Sequence, residues 1–237
     1  MTNSPTSGAE AFGAALTALD AELDWELLEG LYCWEDGEGF FSDEEREAQW
    51  DAGLQIAAGL SDRLAELPAN GPQRSLYVGA AVAELVPMLV ESLVLGREVC
   101  AVNLPGPEVD ELNRALAAVG VALRFDTEAL AEPYDHLWVV SVLTDPEAFP
   151  ALHDELYQRE GEGATGAGDL ASERARATEL VEGWCAGLEK PALVSTTDEE
   201  VGFFAAEAER RDRRFKVPKV GRLTAIVGDA LRHCGWR

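Results

Sequence analysis

Gly79 is followed by Ala80, Ala81, Val82 and Ala83, a run of small residues directly after the apolar stretch 75–78. Tiny side chains in a turn at the end of a strand let a ligand approach the main chain. A helix that begins there points its partial positive end at that ligand. The chemistry this suits is the holding of a nucleotide-like cofactor. Glu84 is the nearest carboxylate to the turn. Three further polar positions close apolar runs. Asn103 lies in 98–104, Asp126 with Thr127 follows 122–125, and Thr144 with Asp145 follows 136–143. Residues at strand ends are well placed to meet a ligand, and an asparagine there offers an oxygen that accepts and a nitrogen that only donates.

These residues need elements to hold them. The pattern predicts a strand at 75–78, a helix at 83–95 and a second strand at 98–104. A helix at 107–119 starts on Pro107, where the missing N–H costs little. A short strand at 122–125, a strong apolar run at 136–143 and a helix opening at Pro146 come next. The stretch 160–168 (EGEGATGAG) has the composition of a flexible linker. A helix at 170–188, a strand at 192–196, a helix at 199–214 and an apolar stretch at 223–227 complete the alternation. Alternating strands and helices imply a mostly parallel sheet covered on both faces, with strand C-terminal ends on one rim. Upstream, 11–67 is helical and amphipathic with a break at 34–41, a new start at Ser42 and Glu45, and an end at 68–72. The expected organisation is a helical cap or lid over residues 1–72 and a Rossmann-like core over 73–237. The first ten residues read as a frayed tail.

From about Trp50 onward the sequence resembles the class I S-adenosylmethionine-dependent methyltransferases. Gly79 matches the first glycine of the family's motif, Ala81 and Ala83 replace the second and third, and Tyr77 replaces the acid. Asn103 stands where an acid usually grips the ribose hydroxyls. Asp126 falls where a carboxylate meets the adenine amino group, and Thr127 would add a backbone N–H. The resemblance implies a three-layer α/β sandwich and an S-adenosylmethionine site built from Gly79, Ala81, Glu84, Asn103, Asp126 and Thr127. It also implies methyl transfer to a small-molecule acceptor, with Thr144 and Asp145 positioning it and Asp145 as the candidate base. The alternative is a non-catalytic relative that has lost the cofactor and serves as an interaction partner; the altered motif residues favour it and the retained Asp126 opposes it. A nicotinamide-dependent oxidoreductase would need a glycine at Glu84.

Each of these residues also has a structural reading. Gly79 and its alanines can pack a helix on the sheet, Asn103 can cap a turn, and Asp126 and Asp145 can cap the segments that follow them. His153, on a predicted helix with acidic neighbours, reads as solvated. His136 reads as core or edge, and His233 beside Cys234 does not make a metal site. Trp25, Tyr32, Trp34, Phe40, Phe41 and Trp50 read mostly as packing, with one or two lining a pocket.

The bulk composition narrows the partners. The 237 residues carry a formal charge of −25, with 19 Lys and Arg against 44 Asp and Glu. Such a field repels nucleic acid and anionic membranes. Seven cations cluster from Arg210 to Arg222 against this trend. The four cysteines are widely spaced with no CxxC pair, against a disulfide framework or a zinc site. With no signal or spanning segment evident, the expected location is the cytoplasm, and a homo-oligomer is compatible with the sequence.

Overall fold

The computed structural model describes residues 7–32, 41–128, 133–224 and 228–237. Its eight strands form one sheet in the order β3-β2-β1-β4-β5-β8-β6, with β7 also paired to β8. The strands are β1 (Arg74–Val78), β2 (Glu98–Val102), β3 (Phe125–Asp126), β4 (Tyr134–Val139), β5 (Leu188–Thr197), β6 (Phe215–Lys216), β7 (Arg222–Leu223) and β8 (Ala230–Trp236). The first five run parallel, and β8 runs antiparallel to β5. The fold is a Rossmann-like three-layer α/β sandwich.

Strand alternation sends successive side chains to opposite faces, and two hydrophobic cores result. On one face Tyr77, Ala101, Trp138, Leu193 and Leu231 pack under helices α1 (Gly8–Glu22), α3 (Asp43–Leu64), α4 (Leu85–Leu89) and α5 (Pro107–Ala118). On the other, Leu76, Val102, Leu137, Val194 and Trp236 pack under α6 (Pro150–Leu156), α7 (Leu170–Ala186) and α8 (Val201–Arg210). Helix α2 (Trp25–Tyr32) contributes Leu28 to the first core. Trp25 packs there against Phe41 and Trp50, with centroids 5.3 and 5.8 Å away. Trp34 and Phe40 lie outside the described residues.

The elements depart from the sequence pattern for local reasons. Helix α1 begins inside the expected tail because Ser7 and Glu10 form a capping box. The Glu45 carboxylate takes both the N–H and the hydroxyl of Ser42, as the spacing implied. The expected helix at 83–95 is three pieces: a 3₁₀ turn at Val82–Glu84, α4, and a π turn at Val90–Val94. Pro146 does not open a helix; Asp145 caps a turn there, and α6 starts at Pro150. Part of the supposed linker is tied down, since Thr165 donates its N–H and hydroxyl to Asp154. His153 is buried rather than solvated, its Nδ1 2.6 Å from the Thr144 carbonyl oxygen.

The first core contains a buried polar chain. Glu91, placed by the π turn, accepts from Tyr77 (2.6 Å), Arg97 (2.8 Å) and Ser75. Arg97 also pairs with Asp135. His136 lies 2.9 Å from Glu91 and 2.9 Å from Ser195, whose hydroxyl is 2.7 Å from His233 Nδ1. Burial would raise the Glu91 carboxyl, but His136, Arg97 and Ser75 outweigh it and hold the group at about 2.

Candidate functional site

The C-terminal ends of β1, β2, β3 and β4 meet on one rim, and most of the candidate residues stand there. Gly79 has φ +66°, which suits glycine, and its N–H donates to the Val102 carbonyl at 2.8 Å. Asn103 donates its N–H to the Asp126 carbonyl at 3.1 Å, joining the ends of β2 and β3. Gly79, Ala81, Glu84, Asn103, Asp126 and Thr127 are thus neighbours. Asp145 stands apart, exposed, at the far end of the loop after β4.

The chain's own groups already occupy much of this rim. The Glu84 carboxylate accepts the Ala81 N–H at 2.9 Å, and Glu108 accepts the Val82 N–H at 3.3 Å. Burial, with Glu108 nearby, pushes the Glu84 carboxyl up to about 7. The Asn103 amide nitrogen donates to the Ala80 carbonyl at 2.8 Å, and its oxygen accepts the Leu104 N–H at 2.7 Å. Val142 leans on the turn: a Cβ built on Gly79 would lie 2.5 Å from Val142 Cγ2. Asp126 and Thr127 are exposed, and the nearest cation to Asp126 is Arg124 at 3.4 Å.

The loop that carries Val142 is held from beneath. Ser141 has φ +57°, and its N–H donates to Glu200 at 3.1 Å. Leu143 N–H donates to the same carboxylate at 2.6 Å, and the Ser141 hydroxyl donates to Asp229 at 3.1 Å. Burial pushes Glu200 up to about 7 despite these bonds. Asp145 accepts the N–H groups of Glu147 (2.9 Å) and Ala148 (2.7 Å), so both bonds lie on one oxygen, Oδ1.

Tyr77, at the motif's acid position, points away from the rim into the first core. It stacks on Trp138 with centroids 5.0 Å apart. Strand alternation accounts for this, since Leu76 and Val78 take the other face. Glu108, Val142 and Glu200 were not picked out from the sequence. Glu108 sits two positions into an amphipathic helix, and nothing in its spacing distinguishes it from a solvated first-turn acid. Among the described residues no cluster of His, Cys, Asp or Glu could hold a metal ion, and no helix is long and apolar enough to cross a membrane.

No protein-family model and no curated protein sequence matches this chain. Solved structures similar to it include a SAM-dependent methyltransferase from Aquifex aeolicus, at 13% identity and TM-score 0.46, covering 90% of this chain and 98% of that one. An O-methyltransferase family protein from Burkholderia thailandensis is similar at 12% identity and TM-score 0.45, covering 95% and 72%. Aeropyrum pernix fibrillarin, solved with natively bound S-adenosyl-L-methionine, is similar at 14% identity and TM-score 0.45, covering 78% and 76%.

Proposed function

We propose that this chain is a methyltransferase-like protein that has lost S-adenosylmethionine binding at its rim and serves as an interaction partner. The observation that carries this reading is the Glu84 carboxylate on the Ala81 N–H at 2.9 Å. That amide belongs to the turn the sequence resemblance assigns to the cofactor. A backbone donor already bonded to an internal carboxyl group has little left to offer a ligand. Val142 against Gly79 and the doubly engaged Asn103 support the same reading. The residues present at the glycine turn therefore do not fit the cofactor as they stand. The segment 1–72 is, in this reading, a cap built onto the 73–237 core.

A second reading is favoured by the exposure of Asp126 and Thr127 and by the positive φ of Gly79. It is methyl transfer from S-adenosylmethionine to a small molecule. Gly79, Ala81, Glu84, Asn103, Asp126 and Thr127 would then hold the cofactor, and Asp145 would serve as base. The cofactor would supply an electrophilic methyl group; the chain would orient the acceptor and exclude water.

Titration calorimetry with S-adenosylhomocysteine separates the two. The expected result is no heat at millimolar ligand with the protein shown to be folded. Micromolar binding that Asp126→Ala abolishes would overturn the proposal and establish the second reading.

A further inference from the structure

The opposite end of the sheet carries a cleft of about 440 Å³, formed by the end of α3, the start of β5 and the end of β8. Three of its lining side chains are cationic: Arg63, Lys190 and Arg237. The acidic one is Glu66, and Arg63 Nη1 holds both its oxygens at 2.7 Å. One more cation stands beside the cleft: a Cβ built on the lining residue Gly235 would lie 3.7 Å, an ordinary contact distance, from both Arg63 Nη2 and Lys216 Cβ.

Lys190, Lys216 and Arg237 are exposed, and none makes an ion pair or side-chain hydrogen bond with the described residues. Four of the chain's 19 Lys and Arg therefore gather at one cleft, three of them unneutralised, in a molecule of formal charge −25. Clustered like charges repel one another, and 44 acidic residues offered ample partners for them. The arrangement is that of a site that waits for an outside anion. Leu67 and Pro191 give the cleft an apolar wall.

We propose that this cleft binds a small phosphorylated ligand with at least two anionic groups and an apolar body. Two charges are needed because the free cations outnumber what one anion can neutralise. The body is apolar because the remaining wall is. A long phosphate backbone fits less well. Charges are screened beyond about 8 Å at physiological salt, so a short ligand feels the cleft, while a polymer also runs along the acidic surface around it.

The test is calorimetry of the full chain with inorganic pyrophosphate, ADP, adenosine and a 20-nucleotide single-stranded RNA, at low and high salt. Pyrophosphate and ADP are expected to bind, ADP more tightly, with affinity falling as salt rises and adenosine silent. Replacing the exposed cations together (Lys190→Gln, Lys216→Gln, Arg237→Gln) should weaken ADP at least about tenfold. Glu66→Gln should tighten it, by removing the competing carboxylate. Absence of binding by either anion, or an unchanged ADP affinity in the triple variant, would overturn the proposal. RNA binding more tightly than ADP would also overturn it and assign the surface to nucleic acid. The cleft lies far from Asp126, so Asp126→Ala should leave these affinities unchanged.

Discussion

At Gly79 two constraints coincide. The residue sits at φ +66°, and any Cβ placed on it would press within 2.5 Å of Val142 Cγ2. Valine is short and branched at Cβ, so it cannot swing clear as the tip of a long side chain can. Gly79→Ala should therefore cost about 1–3 kcal/mol, through the left-handed backbone and the displaced valine together. The measurement is the urea midpoint. The double change Gly79→Ala with Val142→Ala should recover the part due to the clash, and an equal loss in both variants would remove Val142 from the account. The sequence makes Gly79, Asn103 and Asp126 legible as strand-end residues on a common rim, because strand periodicity and small-residue turns are local signals. The aim of the Glu84 carboxylate and the lean of Val142 were not legible. The lean of Val142 depends on how the loop after β4 is held by Glu200, which lies 58 residues from it in the chain, whereas the Glu84 carboxylate turns back on the start of its own 3₁₀ turn.

The element that most depends on such distant contacts is the segment from α4 to β2. Its helix ends in a π turn, and that turn sets Glu91 against Ser75, Tyr77, His136 and Arg97. Apolar spacing made a helix over 83–95 easy to see, but its division into 3₁₀, α and π pieces follows from tertiary bonding of a buried acid. Arg97 is the only arginine or lysine that this network engages among the described residues, and it faces two buried carboxylates, Glu91 and Asp135. Arg97→Ala should lose about 3–5 kcal/mol of stability, because it leaves the buried Asp135 without its cation and Glu91 with only His136 and hydroxyl donors beside it. Chemical denaturation checks this. A loss under about 1 kcal/mol would show that the acids take up protons or water at small cost.

Over the whole molecule, proton uptake and net charge act together. Glu84 and Glu200 move from the ordinary 4.5 to about 7 on folding, both through burial. Between those values each holds a proton in the folded chain and has released it in the unfolded one. Their contribution is full below 4.5 and is lost as pH rises through 7, by about 3 kcal/mol each. His233 works the other way. Burial, reinforced by His136, lowers it from 6.5 to about 3, so its contribution is lost as pH falls below 6.5. Two groups outweigh one, and stability should fall by about 1.4 kcal/mol for each pH unit from 4.5 to 6.5. Mutual repulsion within a chain of formal charge −25 adds to the same trend. The urea midpoint should be higher at pH 5 than at pH 7.5, and added salt should narrow the gap. A midpoint that is flat or rising over that range would sink this account.

The sheet's two outer strands, β3 and β6, are each two residues long. A row of unpaired amides and carbonyls is what recruits a foreign strand, and two residues offer almost none of it. Along β8 the gap between β6 and β7 is bridged by Arg232, whose Nη1 donates to the Pro218 carbonyl at 2.6 Å. Among the described residues, the outermost strands thus present little backbone for another chain to continue. A partner, or a second copy, has to find it through side chains on its helices and clefts, where a charge change can tune the encounter and a peptide backbone cannot.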